Sequence, residues 1–197
     1  RADIAAGFLE PSDEARTQGV AFSRPYHYAP RHLVVHADAD IAVREDLNRL
    51  TVHVRRSSPY WADLQALQAQ GVAITVEAVA EDTETEELIA AVAAGDIEAT
   101  VADGHLLDIE LARGLSVKSG LLLSEERPHA VAVRAGNPKL LAKLDAFIKK
   151  AYRGLIYNVL YEKYFTNSRN VRDLAAGRPG GEGRQGLSPY DEITRKY

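Results

Sequence analysis

Between residues 43 and 123 the sequence alternates short β-branched runs with longer stretches of helical period, and that alternation narrows the accessible folds more than any other feature. Thr51-Val52-His53-Val54-Arg55 reads as a strand, and Tyr60 to Gln70, with Leu64, Ala66 and Leu67 on one side, as a helix. Ala73 to Val79 is the next strand. Thr85 to Ala94 follows as a helix whose stripe is Leu88, Ile89, Val92 and Ala93. Glu98 to Ala102, His105 to Arg113 and Leu115 to Leu123 continue the series as strand, helix and strand. Strands separated by crossover helices predict a parallel α/β sheet. After Pro128, His129 to Arg134 is a further strand. Asn137-Pro138 opens a helix carrying Leu140, Leu141, Leu144, Phe147 and Ile148 at helical spacing, and a last helix runs from about Leu155 to Tyr164. Thr166 to Leu187 changes character, with glycines among charged and polar side chains, and reads as a linker or tail.

Composition excludes several function classes. The 197 residues carry 24 basic and 28 acidic side chains, a net charge of −4 spread along the chain, which argues against a nucleic-acid surface. With no cysteine there is no thiol catalysis, disulfide framework or Cys-ligated metal. No apolar run reaches the roughly 18 residues of a membrane span. The chain opens on Arg1 rather than methionine and reads as a processed or truncated piece of a longer protein, with any targeting signal removed.

Motif searches give little chemistry. The six histidines include His32 and His36, but four residues along a strand separates side chains by roughly 13 Å, too far to share an ion. The sequence contains no HExxH or GxSxG pattern and no GxGxxG dinucleotide fingerprint between a strand and a helix, so no metal ligand, cofactor site or catalytic residue is assigned. Gly177-Arg178-Pro179-Gly180-Gly181 lacks the Lys-Ser/Thr ending of a phosphate loop. The acidic run Glu81-Asp82-Thr83-Glu84 suits the positive end of the following helix better than a metal. Tyr152, Tyr157, Tyr161 and Tyr164, interleaved with Ile156, Val159 and Leu160, read as core and rim rather than as an aromatic binding face.

Open parallel sheets bind ligands beyond the carboxyl ends of their strands, which directs attention to the residues that follow each strand. Val54 is followed by Arg55, Arg56, Ser57 and Ser58, and Pro59 suits the first turn of the next helix. Amide donors at that helix start, with a hydroxyl and nearby guanidinium groups, fit a carboxylate; Ser58 equally fits the role of a simple N-cap. Asp103 follows the strand ending in Ala102. It either meets a ligand ammonium or caps the next helix.

Ala2-Asp3-Ile4-Ala5-Ala6-Gly7, then Arg16 and Val20-Ala21-Phe22-Ser23-Arg24-Pro25-Tyr26, resemble the stretch of type II periplasmic solute-binding proteins, family 3, that precedes the first crossing between lobes. Gly95-Asp96-Ile97-Glu98-Ala99-Thr100-Val101-Ala102-Asp103 is similar to their second-lobe segment, and Ala132-Val133-Arg134-Ala135-Gly136-Asn137-Pro138 to the return crossing. Within that family, Val54 to Trp61, Glu84 to Ile89 and Arg153 to Tyr161 resemble the regulatory modules of membrane-bound lytic murein transglycosylases. Leu187-Ser188-Pro189-Tyr190-Asp191-Glu192 resembles the entry to those enzymes' catalytic domain.

The resemblance implies two α/β lobes joined by hinge strands, with lobe one incomplete at its N-terminus. Residues 1–37 would hold part of lobe one and the first hinge, 38–128 lobe two, 129–165 the return hinge and C-terminal helices of lobe one, and 166–197 a linker and the start of a catalytic domain. Strands near His32–His36 and His129–Arg134 are expected side by side as the hinge. The resemblance further implies a ligand-sensing, non-catalytic module in the periplasm, outer-membrane-associated in its parent protein. Its ligand would be a cell-wall-derived peptide or amino acid, and its partner a downstream catalytic domain of the same chain. By this likeness Arg16 and Ser58 hold a ligand carboxylate, Asp103 its amine, and Arg55, Arg56 and Ser57 lie close by. The stretch from Gly7 to Arg16 is longer than the family's short turn and reads Phe8-Leu9-Glu10-Pro11-Ser12. The alternative is a free-standing amino-acid-binding protein of an ABC transporter, which would end near the Tyr164 helix.

Overall fold

The computed structural model describes residues 3–166, without the side chains of Tyr164 and Thr166, so the linker expected over 166–197 lies almost wholly outside the described residues. Chain order is β1 (Ile4–Leu9), α1 (Asp13–Thr17), β2 (Val20–Phe22), β3 (His27–His36), β4 (Thr51–Arg55), α2 (Pro59–Ala69), β5 (Thr75–Val79), α3 (Thr85–Ala94), β6 (Ala99–Asp103), α4 (Gly104–Arg113), β7 (Val117–Arg134), α5 (Pro138–Ala151) and α6 (Leu155–Tyr161). A π-helical turn over Glu162–Thr166 follows α6 and replaces the last residues of the helix expected to reach Tyr164.

The sheet runs β1-β7-β3-β6-β4-β5, with β2 also on β7. Its β4–β5 and β4–β6 pairs are parallel, as the alternation predicts, but β3 is antiparallel to both β6 and β7, so the sheet is mixed rather than parallel throughout. The two strands expected on either side of Pro128 are one 18-residue strand, β7. Pro128 is tolerated there opposite Tyr28, close to the point where β7 leaves one set of partners for another. Residues 117–129 of β7 pair with β3, and 130–134 with β1 and β2. This displaces the expected hinge: His129 faces His27, and His32–His36 faces Leu122 to Val117.

Packing follows strand periodicity. Leu33 and Val35 of β3, with Val52, Val54, Ala99 and Val101, pack on Tyr60 and Leu64 of α2. Val34 and Ala102 point the other way, onto Ile89 and Val92 of α3 and Leu107 of α4. Successive strand side chains alternate between faces, so α2 covers one side of the sheet and α3 with α4 the other. β6 is buried at every residue, as its place between β3 and β4 demands. Helices α3 and α4 both stop at a left-handed glycine, Gly95 with φ 80° and Gly114 with φ 91°.

Candidate binding site at the β3–β7 crossing

Arg31 lies on the same face of β3 as Leu33 and Val35, and two residues earlier along the strand it delivers a charge where they deliver methyl groups. Its side chain is 2% exposed, and its guanidinium pairs with Glu10, just past β1, and with Asp63 on α2. The Nε atom is 3.7 Å from Oδ1 of Asp103, and the Tyr60 ring lies 5.4 Å from Cζ. Arg127 of β7 approaches the same two outer carboxylates, Glu10 at 4.0 Å and Asp63 at 3.7 Å. Three carboxylates and two guanidinium groups from five places in the chain thus converge. A buried cation of this kind is tolerated only because opposite charges surround it. The same burial, followed by the nearby Asp103 carboxylate, pushes the Tyr60 phenol up, so its hydroxyl keeps its proton.

Asp103 connects this cluster to a second one. It ends β6, opposite Arg31 in the β3–β6 register. As N-cap of α4 its side chain makes no capping bond and turns instead to Nε2 of His129, 3.2 Å from Oδ2. The other ring nitrogen of His129 is 3.0 Å from Nδ1 of His27. A carboxylate only accepts, so Nε2 of His129 donates to Asp103, and the two Nδ1 atoms share the second hydrogen bond. His105, first along α4 after Gly104, completes the group, its ring 4.9 Å from that of His27. Burial lowers His27 to about 4, with His129 adding to the effect, and burial lowers His105 to about 4 as well. Both rings are therefore neutral at pH 7.

Phe8 closes this cluster. Its ring centroid is 4.2 Å from His105, 5.2 Å from His27 and 5.6 Å from His129. The residue adopts φ 57°, a left-handed value costly for an aromatic side chain, where the β1–β7 register shifts. Its N–H donates to the Tyr26 hydroxyl at 3.0 Å. Phe8 and Glu10 both belong to the Phe8-Leu9-Glu10-Pro11-Ser12 stretch. That extended segment supplies one group to each half of the site.

Four buried polar atoms of the two clusters have no hydrogen-bond partner among the described residues: Nε of Arg31, Oδ1 of Asp103 and both ring nitrogens of His105. The first two face each other as an ion pair at 3.7 Å. A carboxylate oxygen at a strand's carboxyl end held only by so long an ion pair can receive a ligand cation or hydrogen-bond donor.

The residues proposed from sequence are distributed as follows. The Val52–Ala99 register sets β4 and β6 parallel, so Ser58 and Asp103 follow strands that end on one edge. Ser58 is the N-cap of α2, yet its hydroxyl donates 2.8 Å to the Arg55 carbonyl and caps nothing. Arg55 lies 3.8 Å from Glu84, Arg56 stacks over Trp61 at 4.7 Å, and Ser57 bonds the Glu81 carboxylate through hydroxyl and amide. That Ser57 hydroxyl holds the Glu81 carboxyl below its ordinary value. Arg16, on α1, is about half exposed, 3.7 Å from Asp13 and 5.7 Å from the Phe22 ring. Among the described contacts, only Asp103 of these six joins the buried cluster.

Sequence reasoning missed Glu10, His27, Arg31, Asp63, His105, Arg127 and His129. Histidines far apart in sequence become neighbours only through β-pairing, and spacing rules within one segment do not detect that. Arg31 interrupting the apolar face of a strand was the signal available. Among the described residues no group of histidines and carboxylates is arranged to hold a metal, and no helix is long and apolar enough to cross a membrane.

Comparison with known proteins bears on what such a site serves. Residues 1–167 match the model of the bacterial extracellular solute-binding proteins, family 3. Membrane-bound lytic murein transglycosylase F of Desulfosudis oleivorans is 32% identical over 152 residues, 77% of this chain and 33% of that protein. The protein of the same name from Methylobacillus flagellatus is 29% identical over 166 residues, 79% of this chain and 33% of its own. The chain thus spans about a third of the length of these curated relatives. Among solved structures, an ancestral arginine-binding protein bound to arginine superposes with a TM-score of 0.65 at 26% identity, covering 83% of this chain and 71% of that one. A mutant of ArgBP from T. maritima gives 0.67 at 25%, with 83% and 69% coverage.

Proposed function

The chain belongs to the bacterial extracellular solute-binding proteins, family 3, and from that premise we propose that it is the ligand-sensing, non-catalytic module of a peptidoglycan lytic transglycosylase. Its ligand is a cell-wall-derived peptide or amino acid taken up between two lobes, in the periplasm, with the parent protein held at the outer membrane. The observation that carries this reading is the buried Asp103 carboxylate, at a strand end, whose Oδ1 has no hydrogen bond and only a long ion pair to Arg31. That oxygen is the anchor for the ligand's ammonium. Arg16 and Ser58 take its carboxylate, with Arg55, Arg56 and Ser57 around it, and Arg16 leaves its loose pairing with Asp13 to do so. Glu10, on the β1 side, and Asp63, on α2, grip the guanidinium of Arg31, which also faces Asp103. A ligand that competes for Asp103 alters this grip and shifts the population between open and closed forms, and the attached catalytic domain reads the change.

Two measurements test the reading. Calorimetric titration of the chain with peptidoglycan stem peptides should show saturable binding, weakened about 30-fold or more by Asp103→Ala and by Arg16→Ala, since truncating a paired charge costs roughly 2 to 5 kcal/mol. Unchanged affinity in both variants would refute the site. Lytic cleavage needs a carboxylic acid that protonates the leaving oxygen, a glutamate that the resemblance places in a Glu-Ser pair, which these residues lack. The chain alone should therefore release no soluble fragments from purified sacculi. The similarity to arginine-binding structures favours a second reading, an amino-acid-delivery protein of a transporter. Tight binding of free arginine with no binding of stem peptides would select it.

A further inference from the structure

The helix whose tyrosines and aliphatic residues are both expected as core and rim keeps only its tyrosines inward. In α6, Leu155, Ile156, Val159 and Leu160 are 82%, 75%, 54% and 48% exposed, whereas Tyr157 and Tyr161 are half-buried and line a cleft of about 360 Å³ with Tyr152, Tyr28, Arg153 and Asn158. Glu126 of β7 and His27 complete the walls. Adjacent rings form a series: Tyr152 to Tyr157 at 5.4 Å edge to face, and Tyr157 to Tyr161 at 6.0 Å nearly parallel. Tyr28 stands 6.5 Å from Tyr152 across the cleft. None of these four hydroxyls makes a hydrogen bond among the described residues, so their donors and acceptors are unspent. Burial raises the Tyr157 and Tyr161 phenols, which keeps both as O–H donors.

The charges decide the ligand class. An all-tyrosine cage with only a carboxylate would suit an ammonium ion. Here the Arg153 guanidinium already occupies the Tyr152 ring at 5.2 Å and offsets Glu126, so a second cation is disfavoured and the cleft is close to neutral. The Asn158 amide donates to the Arg153 carbonyl at 3.2 Å and leaves its oxygen as an acceptor. A fitting ligand has flat apolar faces to lie on tyrosine rings and many hydroxyl or amide groups at its edge. Its size follows from the volume, which falls at the lower end of the usual small-ligand range of roughly 300–1,000 Å³.

We propose that this tyrosine cleft, formed by Tyr28 of β3, Glu126 of β7 and the Tyr152–Tyr161 segment, is a second binding site that takes one or two pyranose units of an oligosaccharide. Tyrosine supplies the stacking surface and a polar tip in the same side chain, which this chemistry needs. The site adjoins the histidine cluster through His27, one of its walls, and through Phe165, which lies between Tyr161 and His105. Its ligand class differs from that of the Asp103 site, so the two assignments stand or fall separately.

The test is calorimetric titration of the 197-residue chain with a β-1,4-linked N-acetylglucosamine trimer, a glucose trimer and choline. At least one trimer should bind saturably and choline should not. Tyr157→Ala should weaken the trimer roughly tenfold by removing a stacking ring, whereas Tyr157→Phe, which keeps the ring and the fold, should weaken it less. Saturable choline binding, absence of binding by both trimers at millimolar concentration, or trimer affinity unchanged in Tyr157→Ala would each overturn the proposal. Failure of stem peptides to bind, by contrast, bears only on Asp103.

Discussion

Two regions built on the same strand, β3, use opposite physics. Beyond Arg31 the strand buries Leu33, Val34 and Val35 among aliphatic side chains from both faces. From His27 to Arg31 it buries two charged or titratable groups against Glu10, Asp63, Asp103, His105 and His129. The first region is held by volume and area. The second is held by charge balance and by neutral imidazoles, arrangements that rarely add stability over an apolar core of equal size. A fold that retains such a cluster where β3 meets β7 forgoes the stability an apolar core there could supply.

The largest expected effect falls on the polar region. Arg31→Met keeps the stem and removes the cation, which leaves Glu10, Asp63 and Asp103 facing one another in a buried space. Breaking such a pairing costs about 3–5 kcal/mol, so urea denaturation should show a loss of that order. A loss under 1 kcal/mol would mean the guanidinium is not buried among them. In the apolar region, Ile89→Ala should cost about 2–5 kcal/mol as a cavity, with no dependence on pH between 5 and 8.

Acid separates the two regions further. His27 and His105 are lowered to about 4, so the unfolded chain, with histidines near their ordinary value of 6.5, binds more protons in that interval. Stability should be flat above about pH 6.5 and fall as pH drops toward 4. In His105→Phe, urea midpoints measured from pH 4 to 8 should show a shallower slope, and in Ile89→Ala the wild-type slope at lower stability. An unchanged slope in His105→Phe would remove that histidine from the account. The smallest effect belongs to Arg16→Ala. This half-exposed side chain should change stability by less than about 0.5 kcal/mol, so a change in ligand affinity there reads binding rather than folding.

The apolar region was legible in the sequence because it follows period. The stripe Leu88, Ile89, Val92 identified α3 to the residue, and the β4–α2–β5 series was right to within two residues. Strand direction was less accessible: crossover helices between β4, β5 and β6 implied parallel pairing, but nothing local shows that β3 enters antiparallel. The polar region was legible only at Asp103, through its place after a strand. His27 and His129 meet because two strands are in register 102 residues apart, and Glu10 reaches Arg31 from a third segment. Chemistry assembled by long-range pairing leaves no spacing to read. The tyrosines of α6, read as core and rim, are half-buried, and helical period alone did not say that they rather than the aliphatic residues face inward.

The central claim is that Asp103 receives a ligand ammonium. It is tested most directly by a cycle in which a stem peptide with a free amino group and its N-acetylated form are each titrated into wild type and Asp103→Asn. The account predicts that acetylation weakens binding to wild type by about 30-fold or more, and that in Asp103→Asn, already weakened, acetylation changes little. An equal loss on acetylation in both proteins would contradict it.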